Sequence, residues 1–172
     1  YKLLEIAERD YILRPGMIVV DLGAAPGSWS QVVSHKVGNK GKVIAVDILD
    51  MSPLPGVEFI QGDFREEHAV LELRKHLGEH QPDLVISDMS PNISGIVVSD
   101  QARSMYLAEL ALAFSMEQLN YGGNFLVKVF QGRDFEQFLC DMRAGFKSVL
   151  IRKPKASRDR SNELYLLGLG KK

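Results

Sequence analysis

A loop between an apolar run and a predicted helix has the features of a nucleoside-type cofactor site. Residues 17–22 are apolar except for Asp21, as expected for a parallel strand buried on both faces. Gly23 and Gly27 follow, and a glycine lets the backbone approach a ligand where a Cβ would block it. The spacing lacks the middle glycine of Gly-x-Gly-x-x-Gly, the dinucleotide fingerprint. The loop therefore favours adenosine without phosphates over NAD, with a tight structural turn as the alternative.

A lysine within a second apolar run could act as a base or as half of an ion pair. Lys128 interrupts residues 125–130, which otherwise have the pattern of a buried central strand. Lysine is almost never fully buried unless it is paired. Asp88 ends the preceding predicted strand and Glu163 begins a later antiparallel one, so both can reach the same edge of the sheet. We expect the three residues to converge, either structurally or for catalysis.

Four aspartates lie at or just past predicted strand ends, the edge at which open α/β sheets bind ligands. They are Asp21, Asp47, Asp63 and Asp88. Asp47 follows Gly27 by twenty residues, a distance at which an acidic side chain can accept hydrogen bonds from ribose hydroxyls. Asp63 could accept from an adenine amino group, with Phe64 available for stacking. A single aspartate is more often a turn or cap residue, but four around one glycine loop favour a ligand site.

Predicted strands and helices alternate along the chain and would bring these residues to one edge. The strands are predicted at 17–22, 42–47, 57–60, 83–88, 124–130, 147–152 and 163–169. The helices are predicted at 28–37, 66–77, 100–119 and 134–144. This alternation indicates right-handed βαβ units and a largely parallel sheet. We expect the last two strands to form an antiparallel pair, because no helix separates them, and Ser99 or Asp100 to cap the longest helix.

Composition is that of one globular domain. The 172 residues are 45% apolar and 25% charged, which is ordinary for such a domain. No apolar stretch approaches the ~20 residues that cross a bilayer. The lone Cys140 excludes an internal disulfide and indicates a reducing compartment, which we take to be the cytoplasm. Because the sequence opens at Tyr1 without a methionine, we expect it to be trimmed.

Charge is distributed unevenly along the chain. The net charge is −1, but residues 152–172 carry seven Lys/Arg and two acidic groups, which leaves −6 on the other residues. Such a basic segment can attract phosphates to an otherwise acidic body. A solvated tail is the alternative interpretation.

Taken together, the motifs resemble the FtsJ (RrmJ) family of ribosomal RNA 2′-O-methyltransferases. The matching segments are 1–6, 20–30, 87–92, 127–132 and 157–165, so the resemblance extends over nearly the whole chain. Ser28 stands where many relatives have a third glycine, which we expect to be a mild change. The family's basic segment before Tyr1 is expected to be absent, which would affect RNA affinity more than chemistry.

The resemblance implies a fold and a cofactor. The fold is α/β and Rossmann-like, a single S-adenosylmethionine-dependent methyltransferase domain over 1–172. Its seven-stranded sheet is mostly parallel with one antiparallel strand, and helices cover both faces. The cofactor is S-adenosylmethionine, with no metal. The implied cofactor-binding residues are Gly23, Ala24, Ala25, Pro26, Gly27, Ser28, Trp29, Asp47, Asp63, Phe64 and Asp88.

The resemblance also implies a catalytic set and a substrate. The family's Lys-Asp-Lys-Glu tetrad corresponds to Lys2, Asp88, Lys128 and Glu163. The substrate is a uridine ribose in large-subunit ribosomal RNA, within an assembled or nearly assembled subunit. We assign Lys128 as the general base toward the 2′-hydroxyl and Asp88 as the group that orients it. Glu163 and Lys2 would shape the charge and hold the ribose. Alternatively, Lys128 stays charged and only orients the hydroxyl.

The expected partner is the large ribosomal subunit, bound by a monomer. The residues expected to contact RNA phosphates are Arg152, Lys153, Lys155, Arg158 and Arg160. Residues 88–92 differ from the Asn/Asp-Pro-Pro-Tyr/Phe motif of amino-group methyltransferases. A cytosine carbon-5 enzyme needs a nucleophilic cysteine, whereas we expect Cys140 to pack on an outer helix. A metal-dependent enzyme could use Asp88 and Asn92, and a non-catalytic RNA-binding assembly factor is the alternative from another functional class.

Overall fold

A seven-stranded sheet with helices on both faces forms the protein. The computed structural model describes residues 2–155 and 162–172. The strands are β1 (Ile18–Leu22), β2 (Lys42–Asp47), β3 (Val57–Gln61), β4 (Leu84–Ser87), β5 (Asn124–Phe130), β6 (Phe146–Arg152) and β7 (Glu163–Lys171). The helices are α1 (Lys2–Asp10), α2 (Ser28–Val37), α3 (Glu67–Leu77), α4 (Val97–Gln118) and α5 (Phe135–Gly145).

Strand order confirms the Rossmann-like prediction. The sheet runs β3-β2-β1-β4-β5-β7-β6. The pairs from β3 through β5 are parallel, and β7 pairs antiparallel with both β5 and β6. The chain order reverses between β1 and β4, so the loops after these two strands diverge and open a crevice at their carboxyl ends.

The two faces of the sheet hold separate hydrophobic cores. Successive side chains of a strand point to opposite faces, and β5 shows this clearly. Phe125, Val127 and Val129 pack in the core that includes α3, α4 and α5. Leu126 packs in the other core, with α1 and α2. By the same alternation, Lys128 faces the layer formed by α1 and α2.

The predicted elements match the observed ones within one residue at most ends. Strand β7 extends two residues further than predicted, and α1 was not predicted at all. Helix α4 begins at Val97, with Ile96 at the N-cap position and no side-chain cap. The prediction that Ser99 or Asp100 caps this helix is therefore wrong. Asp100 lies in the first turn instead and accepts hydrogen bonds from the backbone amides of Ser94 and Gly95.

Packing of the first residue of β6 leads to a stability prediction. Phe146 is 1% exposed, and its ring stacks on Phe125 with the centroids 6.2 Å apart. We expect Phe146→Ala to lower the free energy of unfolding by about 3–5 kcal/mol, because a buried aromatic ring leaves a cavity. Urea unfolding measures the change. Ile151→Ala on the same strand, where the side chain is 48% exposed, should cost less than about 1 kcal/mol; equal losses would contradict the prediction.

Candidate active site

The loops that leave β1 and β4 pass close to each other at the crevice. The backbone amide of Asp88 donates to the carbonyl oxygen of Leu22 over 2.9 Å. Gly23 has a φ of +82°, and a Cβ there would lie 2.9 Å from the backbone of Asp88. Only glycine can adopt this φ without strain and also leave room for the backbone of Asp88, because any side chain would push the two loops apart.

The acidic residue at the end of β2 orders the loop that contains this glycine. Asp47 accepts a hydrogen bond from the Ala25 amide over 2.8 Å and another from the Leu49 amide over 2.9 Å. Gly27, at the start of α2, has a φ of +107°, and a Cβ there would lie 2.8 Å from the sulfur of Met51. The predicted cofactor loop is thus held by the carboxyl end of the neighbouring strand. A ribose contact of Asp47 stays a prediction.

A buried carboxyl group joins the strand before the glycine loop to the helix after it. Asp21 is 1% exposed and accepts a hydrogen bond of 2.6 Å from the Ser30 hydroxyl of α2. Burial raises the pKa of Asp21 to about 7 against the lowering effect of Ser30, with further raising effects from Asp88 and Asp47. The strand and the helix on either side of the glycine loop are therefore joined by a group that titrates near neutrality.

Two clefts open beside the loop. A cleft of about 370 Å³ is lined by residues that include Gly23, Ala25, Asp47, Asp63, Phe64 and Asp88. A second, of about 700 Å³, is lined by residues that include Ala24, Pro26, Ser28, Trp29, Lys2 and Tyr165. Both clefts also share Gly23, Ala25 and Asp88. Ten of the eleven predicted cofactor residues therefore line one cleft or the other, and Gly27 shapes the loop between them.

Two predicted cofactor residues have environments that the sequence did not suggest. Asp63 accepts hydrogen bonds from the side chain of Arg65, at 2.6 Å from Nη2, and from its backbone amide at 2.9 Å. The hydrogen bond from the Arg65 side chain is the largest cause of the lowered pKa of Asp63. The indole nitrogen of Trp29 is buried and has no hydrogen-bond partner among the described residues, although the residue itself lines the second cleft.

The buried lysine lies against Asp88, a residue that lines both clefts. The side chain of Lys128 is 8% exposed, and its Nζ lies 3.3 Å from Oδ1 of Asp88, whose side chain is 31% exposed. Lys128 also donates a hydrogen bond to the hydroxyl of Ser90. Asp88 accepts a further hydrogen bond, of 3.3 Å, from the Tyr165 hydroxyl. The predicted meeting of Lys128 and Asp88 is confirmed, whereas Ser90 and Tyr165 were not singled out even though the matching motifs contain both.

The other two members of the predicted tetrad form a second pair. Lys2 Nζ lies 3.5 Å from Oε1 of Glu163, with the side chains 37% and 22% exposed. Helix α1 supplies Lys2, and the first residue of β7 supplies Glu163. The pKa of Tyr165 is raised most by burial, and then by the negative charges of Asp88 and Glu163. The four residues therefore form two ion pairs, and the hydroxyl of Tyr165 contacts the carboxylate of one of them.

The basic residues predicted to bind RNA have different surroundings. Arg152 pairs with Asp10 of α1 through Nε and Nη2, at 2.9 and 2.8 Å, and this pair raises the pKa of Arg152. Lys153 and Lys155 are exposed, and the Lys155 amide donates to the carboxylate of Glu5. Arg158 and Arg160 lie outside the described residues.

Three observations bear on the other readings of the sequence. Cys140 is exposed on α5, so the expectation that it packs is wrong. Within residues 2–155 and 162–172, no group of three or more His, Cys, Asp or Glu side chains could hold a metal ion. None of the helices described there is long and apolar enough to cross a membrane.

Comparison with known families gives one match over nearly the whole chain. Residues 1–171 match the family described as FtsJ-like methyltransferase. A Nitrosospira multiformis protein is 63% identical over 172 residues, which are 100% of this chain and 84% of that protein. A Nitrosomonas europaea protein is 67% identical over 171 residues, 99% of this chain and 83% of that protein. Both are named ribosomal RNA large subunit methyltransferase E.

Two solved structures share the fold of this chain. A Plasmodium falciparum protein described as a ribosomal RNA methyltransferase superposes with a TM-score of 0.88 at 29% identity, covering 99% of this chain and 95% of that one. A Clostridium thermocellum protein gives a TM-score of 0.68 at 17% identity, covering 98% of this chain and 97% of that one. The second likeness concerns the fold alone.

The raised pKa of Asp21 predicts a pH dependence of stability. A carboxyl group that holds its proton more tightly when folded stabilises the protein at low pH, and this stabilisation is lost as the pH rises from about 4 through 7. The unfolding free energy of the wild type, relative to that of Asp21→Asn, should therefore fall by roughly 2–3 kcal/mol from pH 5 to pH 8.

Urea unfolding of both proteins at the two pH values tests this. Asp50→Asn, at an exposed position, controls for the removal of one carboxylate and should keep the wild-type pH dependence. If the unfolding free energies of the wild type and of Asp21→Asn change equally between the two pH values, Asp21 does not titrate as described.

Proposed function

The chain belongs to the FtsJ-like methyltransferase family, and we propose that it methylates the 2′-hydroxyl of a uridine ribose in large-subunit ribosomal RNA, with S-adenosylmethionine as the methyl donor. The names of its relatives support ribosomal RNA of the large subunit as the substrate class. An assembled or nearly assembled large subunit is the proposed form of the substrate. Support for the chemistry comes from the residues that line the two clefts.

The smaller cleft fits an adenosine group. Its volume is about 370 Å³, and Gly23, which lets the loops after β1 and β4 pass close to each other, lies in its wall. We assign the ribose hydroxyls to Asp47 and the face of the base to Phe64, with the methionine end toward Asp88, which both clefts share. When bound, S-adenosylmethionine supplies a methyl group made electrophilic by its sulfonium. The protein must therefore position the hydroxyl and take up its proton.

Lys128 is the residue that we assign to proton transfer, and its burial next to Asp88 is the observation that carries the proposal. Burial disfavours the charged amine, whereas a neighbouring carboxylate favours it. The carboxylate at 3.3 Å also fixes the direction of the amine. Asp88 lines both the cleft suited to a nucleoside and the cleft open toward a second substrate, so we assign the amine that contacts it as the acceptor of the hydroxyl proton.

Lys2 and Glu163 are assigned to the substrate side of the reaction. Lys2 lines the larger cleft together with Tyr165, and it pairs with Glu163 across 3.5 Å. An ammonium and a carboxylate at this opening can contact the hydroxyls of a ribose from two directions. We therefore propose that these two residues hold the target sugar.

The methyl-transfer activity is tested with labelled S-adenosylmethionine and large ribosomal subunits that lack the modification. We expect label in an alkali-resistant dinucleotide, since 2′-O-methylation removes the hydroxyl that alkaline cleavage requires. Lys128→Ala should lower the rate by about 10²–10⁴-fold, the range of general acid–base catalysis, while calorimetry shows unchanged S-adenosylmethionine binding.

Lys147→Ala is the matched control, because it removes an exposed lysine from β6 and should leave the rate unchanged. Retained turnover in Lys128→Ala would remove Lys128 from its assigned role. Tight binding to the subunit without any methyl transfer by the wild type would instead favour the non-catalytic assembly factor.

The exposed lysines near the end of β6 are proposed to contact RNA phosphates. Each phosphate contact that is lost should lower the slope of log affinity against log salt by about 0.7–0.9. We expect the double variant Lys153→Ala/Lys155→Ala to bind the ribosomal subunit more weakly, with a shallower slope, while S-adenosylmethionine binding is unchanged. Filter binding over a range of salt concentrations measures this.

A matched pair of substitutions provides the control for charge. Lys36 and Lys40 are also exposed, but they lie at the carboxyl end of α2 or beyond it, away from the clefts. Their replacement by alanine removes the same charge and should leave the slope unchanged. Equal changes in both double variants would show that net charge alone sets the affinity.

A further inference from the structure

The amine of Lys128 has two polar side-chain neighbours of different chemistry. Asp88 approaches it at 3.3 Å, and Ser90 accepts a hydrogen bond from it. An ionised carboxylate can only accept hydrogen bonds, whereas a hydroxyl both accepts and donates. Asp88 therefore stabilises the ammonium form. Ser90 can contact either form, because it can donate to the lone pair of the neutral amine.

Exposure also distinguishes the two residues. The side chain of Lys128 is 8% exposed, and it is not among the residues that line either described cleft. Ser90 is exposed and lines the smaller cleft. Ser90 therefore contacts the buried amine through its hydroxyl and is itself open to water, as a group that carries protons between them must be.

The segment that contains Ser90 is fixed at both ends. The Asp88 amide is hydrogen-bonded to the carbonyl of Leu22. At the other end, Asp100 accepts hydrogen bonds from the amides of Ser94 and Gly95 and from the Ser94 hydroxyl. Because both ends are held, the hydroxyl of Ser90 has a defined position relative to Lys128.

We propose that Ser90 is a positioning residue that holds the Lys128 amine and passes its proton to water after each methyl transfer. The inference rests on the proposed function, in which Lys128 removes the hydroxyl proton. Each turnover then leaves one extra proton on a buried nitrogen. The protein cannot begin another cycle until that proton has left, so the buried base needs a route to solvent.

Proton transfer through Ser90 conserves atoms and charge. The lone pair of neutral Lys128 takes the proton of the ribose hydroxyl and becomes an ammonium. One N–H bond of this ammonium then breaks as its proton forms a bond to Oγ of Ser90. The original O–H bond of Ser90 breaks as that proton passes to a water molecule. Lys128 is neutral again, Ser90 is unchanged, and one proton has reached the solvent.

Proton exchange provides a test that does not depend on activity. In protein with ¹⁵N-labelled lysine, NMR measures how fast the Nζ protons of Lys128 exchange with water. We expect Ser90→Ala to slow this exchange at least tenfold and Ser90→Thr, which keeps a hydroxyl, to restore it. Ser99→Ala, at an exposed position on α4, is the matched control and should exchange as the wild type does.

Catalysis provides the second readout. We expect Ser90→Ala to lower kcat about 10- to 100-fold and to shift its pH profile, with little change in KM or S-adenosylmethionine binding, and Ser90→Thr to recover most of the rate. The charged and titratable groups around the amine (Asp88, Tyr165, Glu163 and Lys2) are unchanged in every variant. A shift of the pH profile in Ser90→Ala is therefore assigned to the loss of the hydroxyl.

The possible failures can be told apart. If Ser90→Ala exchanges its Lys128 protons and turns over as the wild type does, while Lys128→Ala is inactive, the role of Ser90 is overturned and the proposed function stands. If Lys128→Ala is also active, the assignment of Lys128 fails first. A loss of activity in Ser90→Ala that threonine does not restore, with unchanged proton exchange, would indicate a packing role only and would overturn the inference.

Discussion

A single buried amine constrains the arrangement of the site. Lys128 lies in the middle of a central strand between apolar residues, and a charged group there is costly unless it is paired and hydrogen-bonded. Asp88 and Ser90 meet this requirement from the loop after β4. That loop must therefore pass close to β5, and it can do so only because Gly23 leaves room beside Asp88. The ion pair and the glycine loop thus depend on each other.

The same carboxylate links two chemically different openings. Asp88 lines both clefts, contacts Lys128, and accepts a hydrogen bond from Tyr165. Tyr165 in turn is close enough to Glu163 for that charge to raise its pKa. A change in the charge of Asp88 is therefore felt in both clefts and at the Tyr165 hydroxyl. This compactness is what a transfer between two bound substrates requires, since the reacting groups must meet at one place.

The sequence was sufficient to predict most of the sheet and the main ion pair. Strands such as β5 have long apolar runs that only burial on both faces explains, and a lysine within one of them requires an acidic neighbour. Other features depend on contacts that no local pattern shows. Helix α1 has a short amphipathic pattern and gains its packing from distant strands. The hydrogen bonds from Arg65 to Asp63 depend on the path of a loop, and the pairing of Asp10 with Arg152 depends on how α1 packs against a strand 142 residues away. Ser90 looked like an ordinary loop serine until the fold set it against the amine.

Helix α1 has a consequence for the order in which the protein can assemble. Its polar contacts are with residues far along the chain: Lys2 with Glu163, Asp10 with Arg152 and Glu5 with Lys155, at separations of 161, 142 and 150 residues. During synthesis on a ribosome, this helix has none of those partners until β6 and β7 have been translated. The glycine loop needs only β1, β2 and β4, so the nucleoside side of the protein can form early. The side that would receive the sugar is completed later, when α1 packs against β6 and β7.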